Sequence, residues 1–187
     1  TDVVDIIQFH GGMYELDNVD RMLNGGLVEE LFRLREAGKV RYVGFTVEEP
    51  WSGRALVASG HFDTVQVKYN LIYQSAAHHL LGEAAAMNMG VSVMRPMTSG
   101  VLQFLAERIA PEWQGAHDIY QAALEFVLSD SRVDLANIGM RSTDEVCKNV
   151  DFVSGLSPTY DVKDLPRLTA GIYQAQDDLA KNTERSE

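Results

Sequence analysis

Residues 38–70 read GKVRYVGFTVEEPWSGRALVASGHFDTVQVKYN. The runs 40–47 (VRYVGFTV) and 64–69 (TVQVKY) are short, apolar and rich in β-branched and aromatic residues, which predicts two strands. The segment between them, about 50–60, carries a helical period and closes on Gly60, which predicts a helix. Strand, helix, strand is a crossover unit. Its two strands run parallel, because a connection of this length returns the chain to the end from which it started.

The same alternation continues on both sides. Residues 3–9 (VVDIIQF), 91–95 (VSVMR) and 135–140 (LANIGM) read as further strands, and helical periods cover about 25–37, 75–89, 117–129 and 142–154. Regular alternation gives an α/β fold with a parallel sheet. An open doubly wound sheet and a closed barrel both satisfy it. The dinucleotide fingerprint of the open sheet, a Gly-rich turn leading from the first strand into a helix, is missing after 3–9, where His10-Gly11-Gly12 lies out of the required frame. A complete (β/α)8 barrel uses eight strand-helix units in roughly 250 residues. Five such units occupy 1–155 here, followed beyond Ser157-Pro158 by a C-terminal extension, 156–187, with a helical stretch at about 163–181 and a charged end. The expectation is a single TIM-barrel domain, incomplete at its N-terminus.

Composition narrows the partners. The 187 residues hold 16 Lys and Arg against 27 Asp and Glu, a net charge of -11 with no basic stripe, so nucleic acid is not expected. No apolar run approaches the roughly 20 residues of a membrane span, and no basic start leads into a secretory signal. With Cys147 as the sole cysteine, read as a buried thiol in helix packing, a cytoplasmic protein is expected. There is no internal repeat and no low-complexity segment.

In a parallel α/β protein, chemistry gathers at the C-terminal strand ends. The polar residues there are His10, Thr46, Gln66 with Tyr69 and Asn70, Arg95 with Ser99, and Arg141 with Ser142. Taken together, 5–10 (DIIQFH), 38–46 (GKVRYVGFT), 65–71 (VQVKYNL), 95–102 (RPMTSGVL) and 139–149 (GMRSTDEVCKN) resemble, in order and at comparable spacing, the fourth to eighth units of aldo-keto reductases.

That resemblance implies an oxidoreductase that reduces an aldehyde or ketone with NADPH, NADH being the alternative. It makes His10 the catalytic histidine that hydrogen-bonds the substrate carbonyl, although an isolated histidine after a strand is, by itself, more often structural. Gly11 and Gly12 stand where many members are bulkier, implying a roomier mouth. Thr46 and Gln66 would hold the nicotinamide carboxamide, with Val47 lacking the donor and acceptor of the usual Asn. Met94 replaces a stacking aromatic. Met97, Ser99 and Gly100 would receive the pyrophosphate, a role for which an ordinary strand-helix loop is the equal alternative. The segment from Gly139 would hold the adenosine end through Arg141, Ser142, Glu145 and Asn149, the guanidinium and helix N-terminus favouring a 2'-phosphate while Glu145 opposes one.

No metal site is expected. His78-His79 face different sides of a helix start and have no third ligand. Glu48-Glu49 and Asp177-Asp178 read as exposed charge, and Trp51 and Trp113 as packing or loop anchors. Of the family's Asp, Tyr, Lys and His, the chain carries the last alone. Tyr14, Tyr69 and Tyr73 lack the neighbouring Lys that a general acid needs. The 187 residues alone are therefore expected to be inactive and not to form a well-folded monomer, with their apolar barrel interior open, until an upstream segment joins them in cis or as a separate chain. Self-association stays open. A second reading is a non-catalytic nucleotide-binding or regulatory subunit. A third, a lyase or aldolase barrel, would need a Schiff-base lysine, and Lys68 is read as lying inside its strand.

Overall fold

Each β-branched run becomes a strand: β1 (Val4–Phe9), β2 (Val40–Val47), β3 (Thr64–Lys68), β4 (Gly90–Met94) and β5 (Leu135–Asn137). They form one sheet in the order β1-β2-β3-β4-β5, with β1 to β4 paired in parallel. Spatial order equals chain order. A doubly wound sheet reverses its winding at a switch point, and none exists here. The succession is that of a partial (β/α) barrel. This computed structural model describes residues 2–102, 104 and 118–155. The chain divides into two units, the first comprising Thr1–Tyr69, Tyr73–Met94 and Ser131–Ala136, the second Asn70–Ile72, Arg95–Asp130 and Asn137–Glu187.

Among the described residues the helices are α1 (Leu16–Asn24), α2 (Leu27–Glu36), α3 (Pro50–Ala58), α4 (Ser75–His79), α5 (Leu81–Ala86), α6 (Ile119–Leu128) and α7 (Thr143–Ser154), with a 3-10 turn at Thr98–Gly100. Three elements depart from the sequence reading. α1 was not expected, because its mostly polar sequence buries only Val19 and Met22 and is entered through a Glu15–Asn18 capping box. The single helix expected over 75–89 breaks at Leu80, whose φ of -139° leaves the helix as its side chain enters the core. The break makes two helices of one. β5 also stops at Asn137, short of the expected 140. The helix expected at 163–181 lies outside the described residues.

Register separates the sheet into two unlike faces. Phe9, Phe45, Val65 and Val91 stand level across four strands, with Val47, Val67 and Val93 above the last three, all pointing one way. α3 covers this face: a side chain at Gly53 would stand 3.2 Å from the Phe45 ring and 3.3 Å from Val47. Phe62 joins it edge-on to Phe45, with ring centroids 5.1 Å apart. The opposite face carries Gln8, Gly44, Thr64 and Gly90 in one row and Thr46, Gln66 and Ser92 in the next. That face was expected to be apolar. Its middle rows are instead small and polar, and large apolar surface is presented below them by Val4, Ile6 and Tyr42.

The N-terminal strand ends are tied by two aspartates used alike. Asp63 accepts the Val43 N–H on its carboxylate at 2.8 Å and donates its own N–H to Val43 O at 2.7 Å. Asp134 does the same to Val91, at 2.7 and 3.0 Å. Each bridges the gap before a strand begins, where no ladder partner exists. Cys147 is exposed on α7 and has no packing role within the described structure, contrary to expectation; none of the residues of that helix is buried.

Candidate functional site

In the first unit, four of the expected residues lie on adjacent strands, His10 just after β1, Thr46 and Met94 at the ends of β2 and β4, and Gln66 in the middle of β3. Phe9 pairs with Phe45, so His10 stands level with Thr46, and Thr46 pairs with Gln66. One row higher, Lys68 pairs with Met94. Parallel strands therefore align His10, Thr46 and Gln66 along the C-terminal edge of the polar face. His10 is exposed, Gln66 and Met94 are half-buried and Thr46 is buried.

Thr46 is buried because it grips the turn after β1. Its hydroxyl accepts the Gly11 N–H at 2.9 Å and donates to Gly11 O at 3.0 Å. The single hydroxyl proton is thus used inside the chain. What remains for a ligand is a lone pair, which can accept from an amide but not donate to one. The Glu48 and Glu49 N–H groups both donate to Gly12 O, at 2.7 and 3.0 Å. Tyr14 completes the stitching: its N–H donates to Ser52 Oγ at 3.1 Å and its hydroxyl to Thr46 O at 2.8 Å. The expected roominess at Gly11 is not there. A side chain at Gly11 would lie 2.3 Å from the Tyr14 hydroxyl, whereas at Gly12 the nearest atom would be 4.0 Å away.

Lys68 ends β3 instead of lying within it, and only 12% of its side chain is exposed. Its Nζ lies 3.3 Å from Glu49 and 3.9 Å from Glu48, and 4.6 Å from the centre of the Tyr73 ring. Glu48 and Glu49 are accordingly half-buried ion-pair partners, not free surface charge. The cluster joins the β2–α3 turn to the end of β3, a feature that sequence spacing could not show. Trp51 is 54% exposed and so does not pack as expected. Trp113 and Asp177-Asp178 lie outside the described residues.

The second unit holds the other eight. Arg95, Thr98 and Ser99 adopt left-handed φ of 57°, 53° and 56°, which non-glycine residues rarely do, and Gly100 follows at 85°. Asn70 supports this loop from beneath, its amide donating to Arg95 O at 2.8 Å. Leu102 N–H donates to Thr98 Oγ1 at 2.7 Å, and Gly100 N–H to Met97 O at 3.1 Å. Gly100 therefore spends its donor on the turn and contributes open space, with nothing within 4 Å of where a side chain would begin. Ser99 is exposed and Met97 half-buried.

Ser142 caps α7 by accepting the Glu145 N–H at 3.2 Å, and the Glu145 carboxylate reaches back to the Arg141 N–H at 2.6 Å. This reciprocal cap gives Glu145 a structural use that its charge alone did not suggest. Arg141, Ser142, Glu145 and Gly139 are exposed and Asn149 is half-buried. His78 and His79 are exposed at the end of α4, not at a helix start. Among the described residues no three His, Cys, Asp or Glu gather to hold a metal ion, and no helix is long and apolar enough to cross a membrane.

Solved structures similar to this chain include aldo-keto reductases. One from Bacillus halodurans, in its holo form, is 19% identical with a TM-score of 0.73, covering 90% of this chain and 59% of its own. Another, from Klebsiella pneumoniae in complex with NADP and acetate, is 22% identical with a TM-score of 0.70, covering 90% and 60%. This chain thus spans about three-fifths of their length. At such identities the likeness establishes the fold. No curated protein matches the chain. The sequence model of the aldo/keto reductase family matches residues 1–169, and the chain belongs to that family.

Proposed function

We propose that the full-length protein reduces an aldehyde or ketone to the alcohol with NADPH. The observation that carries this reading is the row formed by His10, Thr46 and Gln66 on one polar sheet edge. A nicotinamide bound there would supply the hydride. Gln66 offers both a carbonyl and an amide to the carboxamide, and Thr46 can only accept from it. His10, exposed at the end of the row, hydrogen-bonds the substrate oxygen and orients it. Taken by itself, the second unit carries donors of the kind that receive phosphate groups. Left-handed φ at 95, 98 and 99 bends the loop in the way anion concavities are built, although the Thr98 N–H is taken by Arg95 O, and Arg141 stands beside the N-terminus of a twelve-residue helix. Because the Glu145 carboxylate accepts the Arg141 N–H, its charge is partly met within the chain, which supports the 2'-phosphate form.

The test is NADPH and NADH oxidation by the full-length protein over a panel of aldehydes and ketones. Arg141→Ala should weaken NADPH binding by about 1.5–3 kcal/mol, the range for hydrogen bonds to a charged group, and NADH binding little. Equal losses for both nucleotides would remove Arg141 from the phosphate site. A second reading, a nucleotide-binding subunit without turnover, draws on the committed Thr46 proton and the apolar, buried Val47. Tight NADPH binding with no oxidation across the panel would favour it.

A further inference from the structure

The turn that carries His10 is built more tightly than a strand-end loop requires. Gly11 and Tyr14 form a mutually dependent pair, since the phenol fills the space that any side chain at position 11 would occupy, 2.3 Å from its hydroxyl. Tyr14 packs edge-on against Phe45, with ring centroids 6.2 Å apart, and donates to the Thr46 carbonyl. The Thr46 hydroxyl bonds both polar groups of Gly11. The peptide following His10 is therefore held to β2 from two sides.

We propose that Tyr14 is a positioning residue for His10, its phenol seated on the α-carbon of Gly11 and tied to Thr46 O so that the imidazole keeps one orientation at the strand edge. The proposal rests on the reading of His10 as the group that orients the carbonyl. Tyr14 touches neither substrate nor nucleotide in it. Its effect runs through the His10–Gly11 peptide, whose N–H Thr46 accepts. Losing the phenol hydroxyl frees the Thr46 carbonyl and lets the turn shift, and misplacement of a reacting group by about 1 Å can cost on the order of 100-fold in rate.

The experiment uses the full-length protein with ¹³C-labelled histidine, the His10 ring signal being assigned by its loss in His10→Gln. Tyr14→Phe and Thr46→Val should shift or split the His10 signal and lower kcat on the order of tenfold, with the nucleotide KM changed less than about twofold in Tyr14→Phe and raised in Thr46→Val, which also loses the lone pair offered to the carboxamide. Thr46→Ser, which keeps the hydroxyl, should restore both. Asp63→Asn, at the opposite end of the sheet, should lower the melting temperature and leave the His10 signal and kcat in place. An unmoved His10 signal in folded Tyr14→Phe or Thr46→Val overturns the proposal, as does a shift of the same size in Asp63→Asn. If Tyr14→Phe does not fold, Thr46→Val and its Ser rescue decide alone. Should His10→Ala leave kcat unchanged, the carbonyl reading falls, while the His10 signal still decides whether Tyr14 positions the ring.

Discussion

Tyr14 connects a pH dependence to a single side chain. Burial pushes its phenol up from 10.0 to about 12, because the charged form would lose its hydration. The folded state then holds this proton to higher pH than the unfolded state does. The associated stability is present in full below pH 10 and is lost as pH rises toward 12. Thermal melts across that window should show Tyr14→Phe losing stability less steeply with pH than the parent, and parallel slopes would mean the phenol titrates alike in both states. The sequence marked this residue only as a tyrosine without the neighbouring Lys of a general acid. The placement of His10, Thr46 and Gln66 was legible because strand ends can be counted from apolar runs, whereas Met94 was named only by the family resemblance. The Gly11–Tyr14 contact was not legible, since two glycines after a strand read as empty space until the fold supplies a ring to fill it. Cys147 failed similarly: a thiol between Val146 and Lys148 on a helix says nothing about which side other elements cover.

At the scale of elements, the strands were more legible than the helices. A buried parallel strand is a short run of β-branched residues whatever surrounds it, so β1 to β4 fall within a residue or so of their expected limits. A helix such as α1, with two buried side chains in nine residues, owes its existence to a cap and to packing that the sequence does not display. The tie made by Asp63 belongs to this scale as well. Its carboxylate also lies 3.2 Å from Arg35, linking the start of β3 to the end of α2 as well as to β2. Asp63→Ala should cost about 1.5–3 kcal/mol of folding stability, the range for charge-assisted hydrogen bonds, since the Val43 N–H loses its acceptor. Urea unfolding measures it. A loss no larger than that of a neutral surface substitution, within about 0.5 kcal/mol, would mean water replaces the carboxylate without penalty.

For the whole molecule, a parallel sheet was legible from alternation, but its strand order was not, since a doubly wound sheet alternates as well. The missing dinucleotide fingerprint and the family resemblance pointed to the barrel, and the sequential order of the five strands fits it. The chemistry of the polar sheet face was not legible, because a period of two reveals sidedness without saying which side helices will cover. Had Gln8, Gly44, Thr64, Thr46, Gln66 and Ser92 been read as one surface, its polarity would have stood out before any site was assigned. Such a surface, ending in His10, is what makes carbonyl reduction the reading that residue, strand and sheet support together. The most direct test is His10→Ala in the full-length protein, with steady-state reduction of a carbonyl substrate and NADPH titration measured side by side. The account predicts that kcat/KM for reduction falls on the order of 100-fold, within the range for a positioned proton-transfer partner, while the NADPH Kd stays within about twofold. Equal losses in turnover and nucleotide affinity would contradict it and leave His10 a structural residue.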